Sequence, residues 1–418
     1  MNSSLTRKNF LSLIGTGIFP TFFGNIAFAD NSNRDILIYV FLRGGCDALN
    51  FLPPLSGEDR KVYEEERPNL KISLTGSDAL IPLDSRFGLH PSAKPLAELF
   101  QEKKLAFVHA AGLTANTRSH FEAQSLVELG TPDKKTTGSG WIARYLETID
   151  ANGDGYLPAV SLGGLNPASL LSFSHALSLN DPKRMNLVGD KSIQGAQRAA
   201  LKSMYRSKNS WLHKAGQSAL NALDLVESRD PNTDLIRPGI EYPKGEIGNR
   251  LKILSQLLKM GLGIQIATVD MGGWDTHKYQ GVGTEGTYAK QVEQLSSALH
   301  ALYSDLNDST PNAISKKVTI VVMTEFGRRL RENANRGTDH GHGGMMMILG
   351  DHVRGGKVYG KWPGLHTDQL YERADLAVST DFRQVLTEVI IKRLKNNRIA
   401  TIFPSYSNYS ALNLIDSI

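Results

Sequence analysis

The feature that most constrains this chain is a set of short, uninterrupted apolar runs rich in β-branched residues. Ile36-Leu37-Ile38-Tyr39-Val40-Phe41-Leu42 is the clearest. Gly263-Ile264-Gln265-Ile266-Ala267-Thr268-Val269 and Val318-Thr319-Ile320-Val321-Val322-Met323 repeat the pattern, and Leu105-Ala106-Phe107-Val108-His109 is a fourth. A strand with one wet face alternates apolar and polar residues. A strand that does not alternate is covered on both faces, which is the condition of a parallel sheet flanked by helices. Met345-Met346-Met347-Ile348-Leu349 reads as a further strand core rather than a metal-binding methionine box. Between the runs lie stretches with helical spacing. These are Pro95–Lys103, Tyr288–Asp308 with Val292, Leu295, Leu299 and Leu302 on one stripe, and Asp381–Leu394 with Val385, Leu386, Val389 and Ile390. Strands alternating with helices predict an α/β fold with a doubly wound, mostly parallel sheet. The stretch from about 141 to 250 is less regular, with a long helical pattern near 195–228, and reads as an insertion or cap over the sheet edge.

The N-terminus follows the grammar of a secretory signal. Arg7 and Lys8 are a basic start, Phe10 to Ala29 is mostly apolar and uncharged, and Ala27-Phe28-Ala29 is a small-x-small cleavage site before Asp30. Gly15, Gly17, Pro20 and Gly24 inside the apolar stretch favour cleavage over a membrane anchor. Residues 1–29 are thus expected to be a signal peptide and 30–418 a single domain, with no integral membrane segment after cleavage and a periplasmic or cell-envelope location. Thr6-Arg7-Lys8-Asn9-Phe10-Leu11 is similar to the twin-arginine export motif with Lys8 in place of the second arginine, which leaves open the choice between that route and general secretion.

The formal charge is +5, and loss of Arg7 and Lys8 brings it to +3. No basic run with interleaved aromatics appears, so nucleic acid is not an expected partner. The lone cysteine, Cys46, cannot form an internal disulfide and reads as a small packed residue.

The residues able to do chemistry collect just after the predicted strands, where open α/β sheets bind ligands. After the first comes Arg43-Gly44-Gly45-Cys46-Asp47, and after the second Gly272-Gly273-Trp274-Asp275-Thr276-His277. After the third come Thr324-Glu325-Phe326-Gly327-Arg328-Arg329 and Gly337-Thr338-Asp339-His340-Gly341-His342-Gly343-Gly344. Thr117-Arg118-Ser119-His120-Phe121-Glu122 follows His109. Asp47, Asp275, His277, Asp339, His340 and His342 suffice for two divalent metals. A set of carboxylates and imidazoles without thiolates points to Zn or Mn, with Fe, Mg and Ca admissible. Glu325 reads as a buried partner of Arg328 or Arg329 that supports the ligands from behind. Ser119 with Glu122 spells a helix capping box, and a helix start also suits a nucleophile facing an anion. His109, His120 and His366 stand alone in sequence and read as structural.

Taken together with Leu42 to Asn50, Arg67-Pro68, Trp362-Pro363-Gly364-Leu365 and Thr380-Asp381-Phe382-Arg383, these motifs resemble one bacterial family, the exported domain-of-unknown-function family 1501. The resemblance spans nearly the whole chain after residue 30. That family is grouped with the alkaline-phosphatase-like superfamily of phosphatases, sulfatases and cofactor-independent phosphoglycerate mutases. The resemblance therefore implies a three-layer α/β/α sandwich, a Ser/Thr nucleophile and two metals. Asp47 is similar to the first-strand metal aspartate, Ser119 stands where the nucleophile would be, and Asp275 with His277 resembles one metal's pair. Asp339 with His340 resembles the other, and His342 would complete it. Two features depart from the pattern: the usual last histidine, far towards the C-terminus, has no match, His366 being a poor candidate, and no sulfatase Cys/Ser-x-Pro-x-Arg signature is present. The expectation is an exported metal-dependent hydrolase of phosphate or sulfate esters, acting on a small molecule or a glycan or lipid ester, with Arg118 or Arg144 clamping the anion. The alternatives are a non-catalytic envelope protein that keeps the fold and a metal-dependent transferase acting on envelope glycans or lipids.

Overall fold

The structure is a computed structural model that describes residues 34–132, 137–151, 156–206 and 210–416. The expected signal peptide lies outside the described residues. The nine-stranded sheet is built around β1 (Ile36–Leu42), which pairs in parallel with β7 (Ile266–Met271) on one side and β8 (Val318–Thr324) on the other. The remaining strands are β4 (Leu105–Gly112), β5 (Ala159–Leu162), β6 (Ala176–Leu179), β11 (Gly344–Gly350), β12 (Lys357–Tyr359) and β13 (Thr380–Asp381). Their order is β12-β4-β11-β8-β1-β7-β5-β6, with β13 also on β4. Two short hairpins complete the strands, β2 (Ile81–Pro82) with β3 (Gly88–Leu89) and β9 (Arg328–Glu332) with β10 (Thr338–His340).

Three layers follow from the alternation of side chains along β1. Ile38, Val40 and Leu42 pack into one core with Leu96 and Leu99 of α3 (Lys94–Gln101), Leu254 of α8 (Glu246–Lys259) and Leu295 and Leu299 of α9 (Thr287–Leu306). Leu37, Tyr39 and Phe41 point the other way. They meet Leu126 of α4 (His120–Leu129), Ile142 of α5 (Trp141–Thr148) and Val385 and Val389 of α10 (Phe382–Lys392). Each such side chain stabilises the fold by about 1.5–3 kcal/mol relative to exposure, which is why the central run carries no polar residue. Two small helices, α1 (Ala48–Phe51) and α2 (Gly57–Glu66), follow β1, and α11 (Ile399–Ile402) lies near the C-terminus.

The predicted elements are present with shifted ends and three differences of substance. The second run starts as a strand only at Ile266, because Gly261 and Gly263 take positive φ and turn the chain just before it. The methionine run is a fully buried strand, but it is antiparallel to both β4 and β8, so the sheet is mixed although mostly parallel. The stretch read as an insertion or cap contributes β5 and β6 to the sheet itself and α5 to a helical layer. The rest of it includes two helices, α6 (Lys191–Tyr205) and α7 (Trp211–Ser228), and α6 has no fully buried residue. A short β5–β6 pair at a sheet edge has too few residues to give a readable run.

Candidate metal centre

The parallel strands β1, β7 and β8 all end on one side of the sheet, and the loops that follow them meet there. Gly44 makes the approach possible: its φ is +121°, and a Cβ on it would fall 2.6 Å from the backbone nitrogen of Asp275. Only glycine fits such a position. The close contact draws together Asp275 after β7, Glu325 after β8, His340 at the end of β10 and His120 at the start of α4.

Hydrogen bonds fix the imidazole protons. Glu325 is fully buried and accepts from the Gly44 amide (2.9 Å), Gln124 Nε2 (2.8 Å) and the Thr324 hydroxyl (2.9 Å). Burial pushes its carboxyl up, but the bonds from His120, Gln124 and backbone amides outweigh this and hold it below the usual range. An ionised carboxylate only accepts, so His120 Nδ1, 2.8 Å from Glu325 Oε1, carries the proton. His120 Nε2 is then a bare lone pair, and it is buried without a hydrogen-bond partner. The hydrogen bond to Glu325 raises the pKa of His120. In the same way His340 Nδ1 donates to the carbonyl of Arg118 (2.7 Å), and His277 Nδ1 donates to Asp339 (3.2 Å).

Three bare Nε2 atoms therefore converge on one carboxylate oxygen. Asp275 Oδ1 is 3.4 Å from His120 Nε2, 3.0 Å from His277 Nε2 and 3.2 Å from His340 Nε2, and the last two nitrogens are 2.9 Å apart. Arg328 already donates to this oxygen, and the three imidazole nitrogens around it offer lone pairs to a further cation. The edge of a tetrahedron of ligands with bonds of about 2.1 Å is about 3.4 Å, close to these separations. His120, Asp275 and His340 offer ligand atoms that all lie within 4.8 Å of one another. Burial raises the Asp275 carboxyl, but Arg328, whose NH2 is 2.5 Å away, together with His340 and His277 holds it down at about 2. Burial lowers His340, which keeps it neutral and able to ligate.

The other expected site residues fall elsewhere. Asp47 is fully buried and bound at both oxygens by Arg67 (2.6 and 3.0 Å), with Gln280 on Oδ2 at 2.7 Å, so its lone pairs are already engaged. His342 stacks on Tyr371 with ring centroids 3.9 Å apart, and burial holds its pKa at about 4. Asp339 serves by orienting His277 and accepts a second bond from Asn333. The guanidinium of Arg144 is spent on the carbonyls of Leu129 (2.6 Å), Thr401 and Ile402, which corrects its reading as an anion clamp. That of Arg118 is engaged by Asp375 and Glu372; its backbone carbonyl, not its charge, reaches the centre. Arg328 backs Asp275 and donates to the carbonyls of Gly44, Gly45 and Trp274. Ser119 is exposed at the N-cap of α4, and its hydroxyl does not cap the helix. No capping box forms: the Glu122 carboxylate accepts from the Thr117 hydroxyl at 2.8 Å, and the Ser119 amide donates to that same hydroxyl.

The residue that sequence reasoning missed is His120. Its signal was indirect: Glu325 sits after a buried strand and needs a buried partner, and the arginines proposed for it turn elsewhere. His109 is structural as expected, with Nε2 3.0 Å from the Leu52 carbonyl and its pKa lowered to about 4 by burial. Cys46 is buried beside Tyr288, and burial pushes its thiol up.

An α/β sandwich with a histidine-rich centre at the strand ends defines the class. The chain belongs to the family described as protein of unknown function (DUF1501), whose model matches residues 34–395. No protein of curated function matches the sequence. Among solved structures, the C-terminal periplasmic domain of EcEptC from Escherichia coli, in complex with Zn, is similar over 77% of this chain and 74% of its own, at 9% identity and a TM-score of 0.35. Ps i-CgsB in complex with k-i-k-neocarrahexaose is similar over 78% and 68%, at 10% identity and a TM-score of 0.34. Likeness this distant leaves function to be argued from the site. Among the described residues, no helix is long and apolar enough to cross a membrane.

Proposed function

We propose that the chain is an exported metal-dependent enzyme of alkaline-phosphatase-like architecture that cleaves phosphate or sulfate esters, with Ser119 as nucleophile and one metal centre. The observation that carries this reading is the gathering of His120, Asp275 and His340, with His277 Nε2 also 3.0 Å from Asp275 Oδ1, directly beside Ser119 in the chain. His120, the next residue, enters the centre, and the carbonyl of Arg118, the residue before, orients His340. Ser119 is thus held between two fixed points and keeps an exposed hydroxyl. His120, His277, His340 and Asp275 hold the metal, and a nitrogen-dominated set favours zinc over the harder manganese, magnesium or calcium ions. Two metals, as the resemblance implies, need ligands that Asp47 and His342 do not supply in this arrangement. When bound, a divalent metal supplies Lewis-acid stabilisation of charge on oxygen.

The chain's own residues do the rest. Glu325 and the Arg118 carbonyl keep the imidazole protons away from the centre. Ser119 Oγ forms the bond to phosphorus or sulfur as the ester's alcohol leaves with a proton, and water then releases the acid and restores Ser119. Transfer to an alcohol of an envelope glycan or lipid is the same chemistry with another acceptor. The test is a panel of aryl phosphates and sulfates with zinc-loaded protein. Ser119→Ala removes turnover and keeps the metal; turnover that survives this change rejects the covalent route.

A second reading rests on the count of four protein donors, which is also the closed set of a structural zinc site. In that case chelation lowers the melting temperature and no ester is turned over at any metal loading.

A further inference from the structure

Behind β9, on the side away from Arg328, lies a cavity of about 330 Å³, of the size that takes small-molecule ligands. Arg329 and Arg331, two apart on β9, expose their side chains on the same side of the strand, and Arg373 faces them from the 370–375 turn. Glu66 is the acid of the lining, and it is 2.6 Å from Arg331. Three arginines against one glutamate leave a charge of +2 on one small concavity. Two of the arginines are free for a ligand. The Arg373 guanidinium has no partner among the described residues, and Arg329 has a 3.8 Å contact to Asp375, whose other oxygen Arg118 already holds at 2.5 Å. Val62 and Leu370 supply half-buried apolar lining, and both pack on a small separate core of Leu330, Leu365 and Tyr63, which stiffens the wall.

We propose that this cavity binds an anionic group carried on a carbon skeleton: a phosphate, sulfate or carboxylate on a sugar-sized ligand. Guanidinium forks match such oxyanions in paired hydrogen bonds, and Val62 and Leu370 take the ring or chain behind them. We further infer that it is a second contact for the substrate of the metal centre, and this part rests on the proposed function. The wall of the cavity and the centre share one ion pair, because Asp375 faces Arg329 on one side and binds Arg118 on the other, and the Arg118 carbonyl holds His340. A substrate anchored here carries more than one charge, as a multiply sulfated or phosphorylated glycan does.

The test is calorimetric titration of the full chain with N-acetylglucosamine 6-sulfate, its 6-phosphate, the uncharged parent sugar and inorganic sulfate, all at matched ionic strength. Saturable binding of either charged sugar and none of the parent is expected. Which of the two binds more tightly identifies the oxyanion. The Arg373→Ala and Arg329→Ala variants weaken that binding at least tenfold, while metal content and melting temperature stay as in the wild type. His340→Ala, which disables the metal centre, still binds the charged sugar. The proposal is overturned if neither charged sugar binds, if the arginine double variant binds equally well, if inorganic sulfate binds as tightly as the sugar, or if His340→Ala abolishes binding. Binding that persists when no ester is turned over rejects the enzymatic reading and leaves the anion site standing.

Discussion

Asp47 and Asp275 follow neighbouring parallel strands, β1 and β7, and have opposite fates. Asp47 is fully buried and saturated: Arg67 takes both oxygens, Gln280 takes one again, and Arg67 also binds Asn50 and the carbonyls of Arg329 and Leu330. Asp275 is half exposed and has one cationic partner, Arg328, while imidazole lone pairs face the same oxygen. One carboxylate closes the loop after its strand, and the other is left for a ligand. The residue type is the same in both. What differs is whether the guanidinium takes both oxygens or one, and that depends on chain far away in sequence: Arg67 is buried against β9 and Arg328 reaches across from it.

The comparison breaks most visibly at its buried end. Arg67→Ala leaves Asp47 as an unpaired buried charge and is expected to cost about 3–5 kcal/mol of stability, read by denaturant unfolding. A cost below about 1 kcal/mol means that Asp47 is reached by water and is available as a ligand. Next in size, His340→Ala is expected to weaken zinc binding more than about 100-fold in a competition assay, above the usual effect of losing a supporting residue. Asp47→Asn should leave zinc stoichiometry unchanged in the folded fraction, and loss of zinc there restores Asp47 to the metal site. Glu325→Gln removes the acceptor that fixes the His120 proton and is expected to lower zinc affinity by about 10–100-fold with the ligands intact.

The smallest effect is on a titration. In the metal-free protein the Asp275 carboxyl stays ionised down to about 2. Arg328 favours the charged form, so Arg328→Gln raises the midpoint towards the ordinary aspartate value of about 3.9. Carbon NMR of the side chain reads it, and an unmoved midpoint assigns the effect to the histidines instead.

Much of the fold was legible because its signal is local. The unbroken run Ile36–Leu42 required cover on both faces, and the structure provides two helical layers. The stripe Val292, Leu295, Leu299 and Leu302 is buried on α9 as its spacing required. The direction of β11 was not legible, since an apolar run is the same read either way. The edge strands β5 and β6 were missed because four residues carry too little periodicity. At the site, Asp275, His277 and His340, read from the sequence as ligands of two separate metals, lie within about 3 Å of one another. His120 was assigned a structural role because its partner, Glu325, is some two hundred positions away and joins it only where β8 ends near α4.

By itself, then, the sequence determined that a sheet buried on both faces would form, and that aspartates, histidines and glycines would gather at the ends of its strands. Those properties follow from hydrophobic pattern and chain order. Which of the gathered residues point bare lone pairs at one another, and which are consumed by arginines, was decided by the tertiary structure alone. Hydrogen bonds at about 3 Å depend on strand register and loop approach, and a guanidinium that takes both oxygens of a carboxylate, as Arg67 does on Asp47, leaves nothing for a metal.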